Sequence, residues 1–111
     1  MREHLEKSCR PLPAGTRPLP PEAIAIGLTQ LPGWEFADGS IGKRFSFKTF
    51  AATMAFVNEV AAIAAREDHH PEMLVGYDAC RIAYSTHSVG GVSENDFICA
   101  AKIEALRATR C

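Results

Sequence analysis

Three of the four histidines, His69, His70 and His87, fall where the chain is expected to leave a helix or a strand, and two of them are adjacent. Histidine is the side chain whose unperturbed pKa, about 6.5, lets it give and take protons near neutrality. Such a cluster can protonate a leaving oxygen and collect a proton elsewhere. On the residues alone a second reading stays open for each. His69 and His70 suit a helix C-terminus, where imidazolium charge opposes the dipole, and His87 suits a solvent-facing strand end. A three-histidine metal site is a weaker rival, because adjacent histidines splay apart and no acidic support for them is obvious. Asp96 is likewise double: Ser93-x-x-Asp96 approximates a helix capping box, and the same carboxylate can orient a histidine. Trp34 either packs in a core or hairpin, or stacks on a flat heterocycle. His4 stands apart, in an N-terminal end expected to be loose.

The elements that position these residues are read from periodicity and turn chemistry. Five of the seven prolines lie between residues 11 and 21, which bars helix and central strand there and predicts an extended arm over residues 1–21. Residues 22–111 then form one domain. Pro21 and Glu22 open a short helix that Pro32-Gly33 ends. Asp38-Gly39, between Trp34-Glu35-Phe36 and Ile41 to Phe47, is the strongest hairpin signal.

From Lys48 to Arg66, apolar residues step by three and four, predicting a helix about five turns long. Phe47, Phe50, Met54, Val57, Ala61 and Ala64 form one row, and Phe56, Val60 and Ile63 a second. Two rows imply cover on two sides, by the chain's own core or by a partner subunit. His69-His70-Pro71 stops the helix. Met73–Tyr77 and Cys80–His87 read as strands, with Cys80, Ile82 and Tyr84 facing one way and Arg81, Ala83, Ser85 and His87 the other. Ser93 to Asp96 opens a last helix to about Arg107. The order α-β-β-α-β-β-α predicts an α+β fold: one four-stranded antiparallel sheet with helices packed on one face.

The 111 residues, 47% hydrophobic and 23% charged, fit a single core, of which folding buries roughly two-thirds of the unfolded surface. A net charge of −1 disfavours broad attraction to nucleic acid or anionic membrane. No apolar run is long enough to span a bilayer and no signal-peptide core opens the chain, so the expected location is cytoplasmic. Cys9, Cys80, Cys99 and Cys111 form no CxxC pair, which disfavours zinc; they read as free thiols, with Cys80 and Cys99 in the core.

The spacing itself is specific. His69-His70-Pro71, five residues, Tyr77, nine residues, His87, eight residues and Asp96 resembles the pattern of the pterin-4a-carbinolamine dehydratases. Ser85-Thr86-His87 and Gly90-Gly91-Val92-Ser93-Glu94-Asn95-Asp96 extend the match, which runs from about Gly33 to Leu106. The resemblance implies the fold above, assembly into dimers or tetramers, and dehydration of a 4a-hydroxytetrahydropterin to the quinonoid dihydropterin without metal or organic cofactor. It implies that His69 and His87 exchange protons around the C4a oxygen and that His70 binds or assists from the opposite face. Trp34 would line the pterin pocket and Asp96 would hold the histidine geometry. The chain departs from the pattern at Ala65, where family members usually carry an acidic or polar residue; Glu67 and Asp68 are nearby.

The family also contains non-catalytic members: a dimerisation partner of a homeodomain transcription factor, and a Rubisco assembly factor of α-carboxysome bacteria. The resemblance therefore implies a pterin dehydratase, with a protein-binding Rubisco assembly factor as the alternative. Direct DNA binding does not suit the charge balance.

Overall fold

The computed structural model describes residues 2–109, the side chains of Arg2 and of residues 107–109 excepted. Cys111 lies outside that range. The elements are α1 (Arg2–Glu6), α2 (Pro21–Leu28), β1 (Glu35–Ala37), β2 (Ser40–Ser46), α3 (Phe50–Glu67), β3 (Glu72–Val75), β4 (Ala79–Tyr84) and α4 (Glu94–Thr109), with a 3₁₀ turn at His87–Val89 before α4. The expected α+β order is present, preceded by the additional short helix α1.

The β1–β2 hairpin turns through Asp38 and Gly39, both with positive φ (53° and 77°), the backbone that a two-residue turn matched to strand twist requires. The sheet order is β1-β2-β4-β3 and every pair is antiparallel. Ile41, Lys43 and Phe45 stand opposite Tyr84, Ile82 and Cys80, so these six side chains share one face. That face meets Phe56, Val60 and Ile63 of α3 and Phe97 and Ile103 of α4 in a single core. Arg44, Arg81 and Leu74 point from the other face into solvent.

Helix α3 begins where the Thr49 side chain accepts the Ala52 N–H at 3.0 Å, an N-cap worth about 1 kcal/mol. Its buried stripe is Thr53, Phe56, Val60, Ile63, Ala64 and Glu67. The other apolar row is left half-covered, with Phe50 50% exposed. Of the two rows expected to be covered, this chain buries the one through Phe56, Val60 and Ile63 and, apart from Ala64, leaves the other partly exposed.

The arm is extended around its prolines, yet it is not loose. Helix α1 packs on α4, and the His4 ring stacks on Phe97 at 5.7 Å, which corrects the expectation that His4 sits in a free end. Leu19 N–H donates to the Val92 carbonyl at 2.8 Å, and Asn95 grips Arg10 from both sides of its amide, through Nδ2 to the Arg10 carbonyl at 2.8 Å and through Oδ1 to the Arg10 N–H at 3.3 Å. Proline removes alternatives for the arm; the contacts to α4 choose its path.

Candidate active site

The site starts at the C-terminus of α3. Asp68 adopts the left-handed conformation (φ 51°, ψ 44°), and both its N–H and that of His69 return to the Ala64 carbonyl. This closes the helix one residue before the adjacent histidines rather than at the proline, and turns the chain so that His69 folds back over the helix end. His69 stacks on Tyr84 of β4 with ring centroids 5.2 Å apart, and the Tyr84 hydroxyl donates to the His69 carbonyl at 3.3 Å.

His69 Nε2 lies 2.5 Å from Asp96 Oδ1, and the Asp96 side chain is fully buried. The second oxygen, Oδ2, accepts the Ser93 N–H at 2.8 Å and the Thr86 hydroxyl at 2.9 Å. Thr86 having given its proton to Asp96, Ser93 must donate along the 2.6 Å contact between their hydroxyl oxygens. Ser93 Oγ in turn accepts the Asn95 N–H at 3.2 Å. Both readings of Asp96 are thus realised at once: Oδ2 closes the capping box of α4 and Oδ1 faces the histidine.

The hydrogen bond and charge of Asp96 raise the His69 pKa above its ordinary value, against the opposing effect of burial. The imidazolium form is therefore favoured relative to a free histidine. With Nε2 on Asp96, Nδ1 is the ring nitrogen left to exchange a proton.

His69 opens onto a cavity of about 380 Å³. Its other walls are Arg66, Glu67 and Asp68 from the end of α3, Thr86, Ser88 and Asn95 from the segment leading into α4, and Cys9 to Leu12 from the arm. Glu67 is buried and its Oε1 accepts the Cys9 N–H at 2.8 Å, tying arm to helix. Ala65, two residues earlier, is exposed and does not line the cavity.

The predicted residues are not all gathered. His69 and Asp96 meet; His70 and His87 are solvent-exposed, although each is next in sequence to cavity-lining residues, His70 to His69 and His87 to Thr86 and Ser88. His87 has left the sheet for the 3₁₀ turn, because β4 ends at Tyr84. Trp34 is in the core rather than in this cavity: it meets Phe45 edge-on at 6.1 Å and its Nε1–H donates to Glu104 Oε1 at 2.8 Å. Glu104 also pairs with Lys43 at 2.5 Å, so the polar edge of the indole is already engaged. Among the described residues no three histidine, cysteine or carboxylate groups converge as metal ligands would.

Sequence reasoning gave no site role to Thr86 or to the arm. A signal for Thr86 existed: continuing the alternation of Cys80, Ile82 and Tyr84 places a polar residue on the inward face at the strand end, where it needs a buried partner. The arm carried none, since its contacts to α3 and α4 span more than fifty residues of sequence.

An inward, carboxylate-held histidine thus faces a polar cavity beside an antiparallel sheet, an arrangement chemically able to exchange protons. The family described as pterin 4 alpha carbinolamine dehydratase matches residues 17–106. A relative from Nitrosomonas europaea, named provisionally for that dehydratase, is 53% identical over 91% of this chain and 90% of its own. One from Bdellovibrio bacteriovorus, similarly named, is 50% identical over 94% and 88%. A crystal structure of a transcriptional coactivator/pterin dehydratase from Brucella melitensis superimposes with a TM-score of 0.78 at 33% identity, covering 81% of this chain and 98% of that one. A pterin dehydratase-like protein identified as a RuBisCO assembly factor in the α-carboxysome gives 0.55 at 26% identity, over 66% and 84%. The chain belongs to the pterin-4a-carbinolamine dehydratase family, whose name describes a hydro-lyase.

Proposed function

We propose that the chain dehydrates a 4a-hydroxytetrahydropterin by histidine acid–base elimination of water. The observation that carries this reading is the His69–Asp96 pair at the cavity. The C4a hydroxyl leaves as water once it receives a proton, and loss of a proton from the pterin ring completes the double bond. His69, whose protonated form Asp96 favours, is the donor through Nδ1. His87 takes the return proton, and His70 assists from the opposite side; each lies beside cavity-lining residues. Trp34 supports the sheet beneath β2 and acts on the pterin only indirectly. The cavity volume is within the range of small-ligand sites, and its polar lining suits a heterocycle rich in donors and acceptors. The chemistry calls for neither metal nor organic cofactor. Dehydration of 4a-hydroxytetrahydropterin by purified protein tests it: activity that falls about 100-fold or more in His69→Ala supports the reading, and equal rates in the two proteins defeat it.

The likeness to the RuBisCO assembly factor favours one second reading, binding of Rubisco through the protein surface. The higher TM-score and identity of the Brucella melitensis structure support preferring the dehydratase reading. Native mass spectrometry of the chain with Rubisco discriminates, a stable complex alongside absent dehydration being its signature. Self-association as dimer or tetramer and a cytoplasmic setting accompany both readings.

A further inference from the structure

Cys9 Sγ and Cys99 Sγ lie 3.5 Å apart and join the arm to α4 behind the His69 cavity. Cys9 forms part of the cavity wall, so a small solute in the cavity meets it, whereas Cys99 is fully buried behind it. The only other described thiol, Cys80, is buried in the sheet. We infer that Cys9 and Cys99 form an oxidation site, in which a low-molecular-weight peroxide converts the two thiols into a disulfide that fastens the arm across the cavity.

The chemistry balances without further reactants. A Cys9 thiolate attacks one peroxide oxygen, the O–O bond breaks, and a sulfenic acid and a water result. The Cys99 thiolate then attacks that sulfur, the S–O bond breaks and a second water leaves, so two thiols and one hydrogen peroxide give one disulfide and two waters. A dithiol reverses the change by exchange. The hydrogen bond between the sulfurs lowers the Cys99 pKa and raises that of Cys9. The thiolate of the pair is therefore favoured on Cys99, and transfer of the shared proton from Cys9 to Cys99 along the contact leaves on Cys9 the thiolate that attacks. Closing to a bond of about 2.05 Å requires a shift of roughly 1.5 Å. The arm supplies it, since Cys9 sits in extended chain between α1 and α2 rather than inside a helix. Reversible disulfides of this kind are what a reducing compartment permits.

The experiment uses the full chain, reduced and then given stoichiometric hydrogen peroxide. Proline after Arg10 and Arg17 blocks trypsin, so Cys9 falls on peptide 8–43 and Cys99 on peptide 82–102. Free thiols should drop from four to two, and non-reducing digestion should yield those peptides linked, lighter by two hydrogens than their sum and separated by dithiothreitol. Cys9→Ser, on the arm, should abolish the linked species and Cys80→Ser should not. The inference is overturned if Cys9 proceeds to sulfinic acid with no linked peptide, or if Cys9→Ser loses the same thiols. Neither outcome depends on dehydration, so failure here leaves the proposed activity standing.

Discussion

The two ends of helix α3 are built for different encounters. At its start, Thr49 caps the first turn and Thr53 donates to the carbonyl of Tyr77 at 3.0 Å, while Phe50 and Tyr77 stack at 6.3 Å and remain 50% and 69% exposed. At its finish, a left-handed Asp68 presents His69 to a buried aspartate beside a polar cavity. One helix therefore carries an apolar, shallow surface at one end and a concave polar site at the other. Apolar groups left in water suit a broad partner; satisfied polar groups out of water suit a small molecule whose protons must be placed. Docking of a partner at the apolar end would put the two proposed functions at opposite ends of one element and make them separable by mutation.

Substitutions at the polar end should have the largest effects. Asp96→Asn keeps the shape but removes the charge that raises the His69 pKa, so we expect dehydration to fall by about 100-fold with Tm lowered. Asp96→Ala leaves the Thr86 hydroxyl and the Ser93 N–H without their buried acceptor and should destabilise by about 3 kcal/mol or more in urea unfolding. Retention of full stability in Asp96→Ala would show that the two ends are not as different as described.

The pH dependence sharpens the same contrast. Because the folded His69 pKa is raised, its contribution to stability is fully present below the unfolded value of about 6.5 and is lost as pH rises through the folded value. Wild type should therefore lose more stability than His69→Gln on going from pH 6 to pH 9, and an NMR titration of His69 should move to lower pH in Asp96→Asn. A His69 midpoint at or below 6.5 in wild type would count against the ion pair.

At the apolar end, Phe50→Ala and Tyr77→Ala should each change unfolding free energy by about 0.5–1.5 kcal/mol, mostly through their lost stacking, and leave dehydration unaltered. If they weaken self-association or a Rubisco complex, that end is the docking surface; if they reduce the dehydration rate instead, the division of labour fails. The smallest effect is expected at the turn itself. Asp68→Gly relieves a left-handed residue and should stabilise by up to about 1 kcal/mol with activity retained, whereas Asp68→Val should destabilise.

Local chemistry was legible wherever one short segment decides the outcome. Asp38-Gly39 specified the hairpin because that dipeptide favours the positive-φ backbone that joins twisted strands in two residues, and the apolar spacing of α3 specified a helix found within two residues of its expected limits. His69 and Asp96 were legible as candidates through residue type and family pattern. Their contact was a matter of two elements meeting, one end of α3 and the start of α4, 27 residues apart.

Only the tertiary structure decided which of two apolar rows enters the core, which places Phe56, Val60 and Ile63 inside and leaves Phe50 in solvent. It also decided that Trp34 spends its N–H on Glu104, 70 residues away, and that Cys9 meets Cys99 across the fold. The physical reason is the same in each case. Periodicity and turn preference act along the chain and are written in neighbouring residues, whereas a buried polar atom takes its partner from whatever the packed helices and strands bring within about 3 Å.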